Sequence, residues 1–338
     1  MQTNQLNLTR RGERQKMAQV AGMFRQAFTL PSKDVLRWFP GHMYKGMERI
    51  QATLKDVDCV IEVHDSRIPF SGRNPRFRDV LRLRPHVLLL NKLDLADLDT
   101  SRQSLVKTRL RSEGIDHVYF TDLRQFQQSK FLKSEILPAI ISLTESRPRF
   151  SRQGLNEYSI MVIGVPNVGK STFINTVRWA NIKRKGRAAA VGSEAGITKS
   201  VASKIKVNAD PPVYIIDTPG IFTPQIPDVE TGMRLALCAC LPDCLVEEET
   251  IADYLLYRMN KMRNFAYTDV FGIPKATDNI LDVLAHIAIK NKKVLKVRDF
   301  SNNSYKLRPD FKEAGKLMIR AYRDGTFGRT FLDDDRLK

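Results

Sequence analysis

Apolar positions recur along this chain with two different periods, and the change from one to the other divides it. Up to about residue 217, short apolar or alternating runs return at intervals: Cys59 to Val63, His86 to Leu90, Val118 to Phe120, Tyr158 to Ile163, Ser203 to Val207 and Val213 to Ile216. Such brief runs, bounded by turn residues, read as strands, and the most apolar read as strands buried on both faces of a parallel sheet. Stretches of helical period lie between them, at Met43–Leu54, Asn74–Leu83, Ser101–Glu113 and Ser171–Ala180. From about Asp228 the period is helical, in Met233–Leu241, Thr250–Met259, Ile280–Ile289 and Phe311–Tyr322. The pattern predicts an α/β domain over residues 34–227 and an all-helical domain over residues 228–338.

Three stretches break the periodicity. Residues 144–157 are polar, basic and Gly-containing, and read as a linker. Residues 181–198 are rich in Gly, Lys and Arg, and read as a mobile loop. Residues 1–33 carry Arg10, Arg11, Arg14, Lys16 and Arg25 against the single acid Glu13, with Met17, Val20, Phe24 and Phe28 at helical spacing. That is the composition of a mitochondrial targeting segment. A basic helix that stays on the protein and touches RNA has the same composition, so both readings stand.

Gly164-Val165-Pro166-Asn167-Val168-Gly169-Lys170-Ser171 matches G-x-x-x-x-G-K-S between a strand and a helix, the context that motif requires. There, backbone N–H groups at the positive end of a helix face phosphate oxygens. Lys170 would hold the β- and γ-phosphates, and the Ser171 hydroxyl would ligate Mg²⁺. Asn167, Val168, Gly169, Lys170, Ser171 and Thr172 form the expected phosphate-binding set. Asp217 ends a strand and begins Asp-Thr-Pro-Gly, so it would support Mg²⁺, while Gly220 would offer an N–H to the γ-phosphate. Thr198, in the loop between, is the candidate to close on Mg²⁺ and the γ-phosphate.

Asn91-Lys92-Leu93-Asp94 follows the second strand. A carboxylate there accepts hydrogen bonds from guanine N1–H and N2–H₂, which adenine does not present in that arrangement, so Asp94 would read the base. Asn91 would brace the loop, and Lys92 would cover the base face. Thr121, after the third strand, stands where a backbone contact to the guanine oxygen belongs. This half-site precedes the phosphate loop, whereas a Ras-like GTPase has the phosphate loop first. Both halves in inverted order predict one circularly permuted, Ras-like P-loop GTPase domain, with residues 144–157 closing the permutation. An ATPase is the rival that Asn91 and Asp94 argue against.

The chain of 338 residues has 55 Lys and Arg against 37 Asp and Glu, a formal net charge of +18. Such an excess points to a polyanionic partner, most often nucleic acid. An alkaline compartment would also select for it. Lys290, Lys292, Lys293, Lys296 and Arg298 concentrate this charge in one short stretch. The four cysteines, Cys59, Cys238, Cys240 and Cys244, lack metal-site spacing and fit a reducing compartment.

The motif order resembles that of the circularly permuted YlqF-type ribosome-assembly GTPases. The resemblance runs from about Trp38 to Gly328. It rests on Trp38-Phe39-Pro40-Gly41-His42-Met43, Asp65-Ser66-Arg67-Ile68-Pro69, Asn91 to Asp94, the phosphate loop, Gly196-Ile197-Thr198 and Asp217 to Gly220. Ala195, where relatives often carry Pro, and Thr121-Asp122 depart from the pattern. The resemblance implies GTP hydrolysis with Mg²⁺ in assembly of the mitochondrial large ribosomal subunit, with its rRNA as partner. It also implies a monomer off the ribosome, in the mitochondrial matrix or peripheral on the inner membrane. Ile221 stands where a water-orienting Gln is usual, so hydrolysis would be slow without stimulation. The resemblance makes His42 the catalytic candidate; the other reading has it cap the following helix or touch RNA. Asn167 matches the Asn that potassium-activated relatives use to bind K⁺. A non-hydrolysing, GTP-dependent RNA-binding protein is the alternative.

Overall fold

The six strand-like runs pair into one sheet, in the order β3-β2-β1-β4-β6-β5. In this computed structural model the described residues are 24–30, 52–73, 84–125, 128–149, 152–182, 204–218, 226, 228–299 and 304–337. The expected helix at Asn74–Leu83 and the loop after Lys183 lie outside them. The chain forms two compact units: residues 33–245 with 329–338, and residues 1–32 with 246–328.

The sheet belongs to the first unit. Its strands are β1 (Cys59–Asp65), β2 (His86–Asn91), β3 (Val118–Phe120), β4 (Tyr158–Ile163), β5 (Lys204–Asn208) and β6 (Val213–Asp217). All neighbours run parallel except β5 against β6. Every residue of β1 is buried, as a central strand of a doubly covered parallel sheet requires. The antiparallel edge strand β5 instead alternates, with Lys204 and Lys206 outward and Ile205 and Val207 buried, and edge lysines discourage further pairing. Helix α1 (Thr100–Ser112) packs Val106 and Leu110 against Leu88 and Leu90. On the other face Leu54, Val57 and Val60 join Met161, Ile163 and Ile216. Helices α2 (Leu137–Glu145) and α3 (Lys170–Ile182) complete the layers.

The register settles the order puzzle. β1 pairs directly with β4, with Cys59 beside Ile160, although both β2 and β3 lie between them in sequence. Asp65 lies beside Asn91, Leu90 beside Phe120 and Val162 beside Asp217. The carboxyl ends of β1, β2, β3, β4 and β6 therefore share one edge, where open α/β sheets bind ligands. The joining linker is pinned. Arg149 and Arg152 both bond Asp58 (Arg149 Nη2 and Arg152 Nε each at 3.1 Å from a carboxylate oxygen), and Asp58 accepts the Ser159 N–H at 2.7 Å.

Helix α4 (Val229–Leu237) begins at Asp228, whose side chain accepts the Thr231 N–H at 2.7 Å, and gives way at left-handed Ala239 (φ 59°). The expected helix over Met233–Leu241 is thus shifted towards its cap. The expected boundary after residue 227 also moves, because α4 and the chain end both belong to the sheet unit. The reason is a buried ionic knot. Asp333, with no solvent exposure, accepts the Phe70 and Ser71 N–H groups at 2.7 and 2.8 Å, the Ser71 hydroxyl, and Arg234 Nη1 at 3.0 Å. Phe331 enters the core beside Leu88, and Thr330 pairs with Ala96.

The second unit holds α5 (Glu248–Lys261), α6 (Ala266–Phe271), α7 (Ile280–Lys290) and α8 (Phe311–Arg323). It is mostly helical, and it adds an antiparallel hairpin, β7 (Val294–Asp299) with β8 (Ser304–Pro309). Residues 24–30 attach to it through Phe28 and Arg25. Phe28 is buried edge-on against Tyr254 at 5.2 Å, and Arg25 bonds both Asp253 and Asp278. No helix among the described residues is long and apolar enough to cross a membrane.

Removing one partner of a buried ion pair leaves the other charge uncompensated. Arg234→Met or Asp333→Asn is expected to lower unfolding stability by about 3–5 kcal/mol. Combining Arg234→Met with Asp333→Asn should cost less than the two single changes added together, because no lone buried charge remains. Denaturant unfolding of the three variants measures this.

Candidate nucleotide-binding site

At the end of β4 the chain turns through residues 164–169 into α3. Gly164 has φ 142°, and a Cβ there would lie 2.3 Å from the Val63 carbonyl oxygen. Gly169 has φ 109°, and its Cβ would lie 2.3 Å from Asn91 Nδ2. Any side chain at either position would force the loop off its neighbouring strand or off Asn91. Buried Lys170 donates to the Gly164 and Val165 carbonyls at 3.1 and 2.9 Å, so its ammonium sits inside the ring of the loop. Burial lowers its pKa to about 8, against the opposing pull of Asp217. Ser171 and Thr172 follow in the first turn, both half-buried.

Asn91 joins this loop to the second motif. Its Nδ2 donates to the Val168 carbonyl at 2.8 Å, and its Oδ1 accepts the Leu123 N–H at 3.0 Å. The Thr121 carbonyl accepts the Leu93 N–H at 3.1 Å. One amide side chain thus ties together the phosphate loop, the Asn91–Asp94 turn and the segment after β3. Lys92 takes a left-handed conformation (φ 60°) and pairs with Asp65 at 2.9 Å. Asp65 also bonds Arg67 through Nε at 3.0 Å and Nη2 at 2.8 Å. Burial alone would raise the Asp65 pKa, but Arg67 and Lys92 pull it below the usual carboxylate range. The roles of Asp65 and Arg67 were not read from the sequence, although both fall in a noted motif.

Two carboxylates remain short of partners. Asp94 Oδ1 is buried without a hydrogen bond, and burial, then repulsion from Asp122, raises the Asp94 pKa. Asp217 Oδ1 is likewise buried without a hydrogen bond, and burial raises its pKa against Lys170. Thr218 donates to the Val162 carbonyl at 2.6 Å, which fixes Asp217 beside the phosphate loop. Asn167, left-handed at φ 59°, donates through Nδ2 to the Ala239 carbonyl at 2.9 Å, so the phosphate loop also touches the end of α4. That contact had no signal in the sequence. Cys240 is buried close to Lys170, and burial raises its thiol to about 12.

The structure therefore brings Asn91, Lys92, Asp94, Thr121, Asn167, Val168, Gly169, Lys170, Ser171, Thr172 and Asp217 to one edge of one sheet. His42, Thr198, Gly220 and Ile221 lie outside the described residues. The arrangement offers N–H groups and an ammonium for phosphates at one end, and a bare carboxylate acceptor for ring N–H groups at the other. A Mg²⁺ ion fits beside Asp217, whose unpartnered buried oxygen such an ion would satisfy.

The chain matches the family model of the 50S ribosome-binding GTPases over residues 159–320. That match begins at β4 and leaves out Asn91 to Asp94, which here lie upstream. It is 47% identical to mitochondrial ribosome-associated GTPase 1 of Mus musculus over 318 residues, 94% of this chain and 95% of the relative. It is 45% identical to the Bos taurus protein of that name, with 95% of each covered. To mitochondrial GTPase 1 of Aedes aegypti it is 47% identical, covering 94% and 99%. Among solved structures it resembles GNP-bound YlqF from T. maritima, with TM-score 0.53 and 22% identity over 85% of this chain and 97% of that one.

A nucleotide's phosphates favour the charged lysine, so binding should raise the Lys170 pKa above its value near 8. Binding at neutral pH then takes up almost no proton. As pH rises through that value an increasing fraction of free protein holds neutral lysine, and binding must take up a proton. Affinity should consequently fall by up to about tenfold per pH unit above that point. Calorimetry in buffers of different ionisation enthalpy, between about pH 7 and pH 9, measures the uptake. Equal uptake at both ends would contradict it.

Proposed function

This chain belongs to the mitochondrial ribosome-associated GTPase 1 family, and from that premise we propose that it is a GTP-hydrolysing assembly or checkpoint factor acting on the mitochondrial large ribosomal subunit and its rRNA. The Asn91 Nδ2 bond to the Val168 carbonyl carries the reading, because it makes the two inverted motifs one pocket. In this reading Asp94 accepts from guanine N1–H and N2–H₂, and Lys92, held by Asp65, covers the ring. Thr121 lies beside the guanine oxygen. Backbone N–H groups from Asn167 to Thr172 and the Lys170 ammonium hold the phosphates.

Ser171 and Asp217 would hold Mg²⁺, which would neutralise charge building on the phosphates. Thr198 and Gly220 close on the γ-phosphate, and His42 positions the attacking water. Asn167 would hold a K⁺ ion, which would supply the positive charge that an arginine finger provides elsewhere. With Ile221 in place of a glutamine, turnover is slow until the ribosome stimulates it.

Residues 1–33 carry the mitochondrial address, and the protein works in the matrix. Any trimming of that leader stops before Phe24, because Arg25 and Phe28 are built into the second unit. N-terminal sequencing of the protein recovered from mitochondria should read a start at or ahead of Phe24. A start beyond Phe28 would overturn this.

Co-sedimentation with mitochondrial large subunits tests the whole reading. A non-hydrolysable GTP analogue should raise retention at least about fivefold over GDP, the low end of ordinary coupling between sites. Asp94→Asn should lower GTP affinity about a hundredfold and transfer the effect to xanthosine triphosphate, whose ring offers an acceptor where guanine offers a donor. Equal retention in both nucleotides would remove the gating role.

A further inference from the structure

The β7–β8 hairpin is the element whose surface the nucleotide site does not explain. A hairpin usually buries one face against a core, yet the side chains of Val294 to Arg298 and Tyr305 to Arg308 are all exposed. Leu295, Val297, Tyr305 and Leu307 are among the chain's exposed large hydrophobic residues, and Tyr305 is 69% exposed. A lone two-stranded hairpin is marginal in water, so such a ribbon gains from a partner.

The register shows what the partner is made of. Leu295 lies opposite Arg308, Lys296 opposite Leu307, Val297 opposite Lys306 and Arg298 opposite Tyr305. Each central pair sets one cation across from one apolar or aromatic side chain. Because successive residues alternate faces, Lys296, Arg298, Tyr305 and Leu307 share one face, and Leu295, Val297, Lys306 and Arg308 share the other. Both faces therefore carry two cations and two apolar groups. Lys290, Lys292 and Lys293 continue the charge at the base, where the Asp310 N–H bonds the Lys293 carbonyl at 2.9 Å. Asp299 is the single acid from Lys290 to Arg308. A docking site for another protein's core would place its charges at a rim instead of in every pair.

We infer that the β7–β8 ribbon inserts into folded RNA, its cations bridging phosphates on both sides and Tyr305 stacking on an unpaired base. The inference rests on the proposed ribosomal partner and names the element that reads it. A-form helices keep their major groove too narrow for a ribbon, so the target is a junction or loop with splayed bases. Sequence-tolerant stacking beside phosphate contacts is how aromatic residues on cationic surfaces hold single strands.

The test uses the full chain and three probes: a labelled RNA stem-loop with a single-stranded loop, a fully paired RNA duplex of equal phosphate number, and poly-glutamate. Wild type should prefer the stem-loop to the duplex. Replacing Lys296, Arg298, Lys306 and Arg308 together by Thr, which keeps strand propensity, should reduce the slope of log affinity against log salt by about 3. Tyr305→Ala should weaken stem-loop binding about tenfold and leave that slope unchanged, whereas Tyr305→Phe should bind as wild type. An unchanged far-UV circular dichroism spectrum and unfolding midpoint in every variant report an intact fold, and unchanged GTP affinity an intact nucleotide site. A fourfold variant with wild-type slope, or Tyr305→Ala with wild-type affinity, overturns the inference. Displacement of RNA by poly-glutamate at equal charge also overturns it, in favour of an acidic protein. If wild type binds no RNA at all while binding GTP, the RNA partner of the proposed function fails as well.

Discussion

The site depends on where one amide points. Asn91 stands at the end of β2, and its Nδ2 reaches the Val168 carbonyl of the phosphate loop while its Oδ1 holds the Leu123 N–H. Both bonds are buried, and an amide can satisfy a donor and an acceptor at once where a carboxylate or an amine cannot. An Asp here would set two acceptors against each other at Val168. Gly169 completes the constraint, since a Cβ would collide with that amide nitrogen. The polypeptide order of the two motifs is then immaterial. Cutting and rejoining the chain leaves the parallel edge unchanged so long as Asn91 can cross to the phosphate loop, and the β1–β4 pairing places it within reach.

A second constraint acts on α4. The chain passes between the two units at three places, near residues 32, 245 and 328. The second passage follows α4 directly. The third is followed within five residues by Asp333, which Arg234 of α4 grips. Asn167 of the phosphate loop holds the Ala239 carbonyl at the end of the same helix. Helix α4 is thus fixed within the sheet unit at two points, by Asp333 at Arg234 and by the phosphate loop at Ala239.

Much of this was legible because the signals were local. The strands follow from apolar runs, and the half-sites follow from spacing and context, down to Asp217 at a strand end. Thr100–Ser112 and Ile280–Lys290 lie within a residue or so of their periodic stretches. What escaped was set by partners distant in sequence. Nothing around Asp333 announces that it lies against Arg234 and Ser71, so the chain end read as more of a helical domain. The hairpin escaped for another reason. Its alternation of cation and apolar residue, Val-Leu-Lys-Val-Arg against Tyr-Lys-Leu-Arg, has the period of a strand, but with neither face buried it lacks the inside-outside contrast that marks one. The polar linker was legible as the join, but nothing local announced that Arg149 and Arg152 spend their charge on Asp58.

In the proposed reading, the choice of base follows from what Asp94 lacks. An ionised carboxylate only accepts, and one of its oxygens is buried with no donor in the protein. Burial and Asp122 make that charge costly to keep. Guanine brings two donors, N1–H and N2–H₂, and relieves the cost. Adenine would bring the bare N1 acceptor to the same oxygens, leaving both sides unsatisfied, a loss of roughly 1–3 kcal/mol for each group stranded away from water. On that proposal the discrimination originates in a deficit the protein maintains, since Arg67 and Lys92 pair with Asp65 and leave the Asp94 oxygen open.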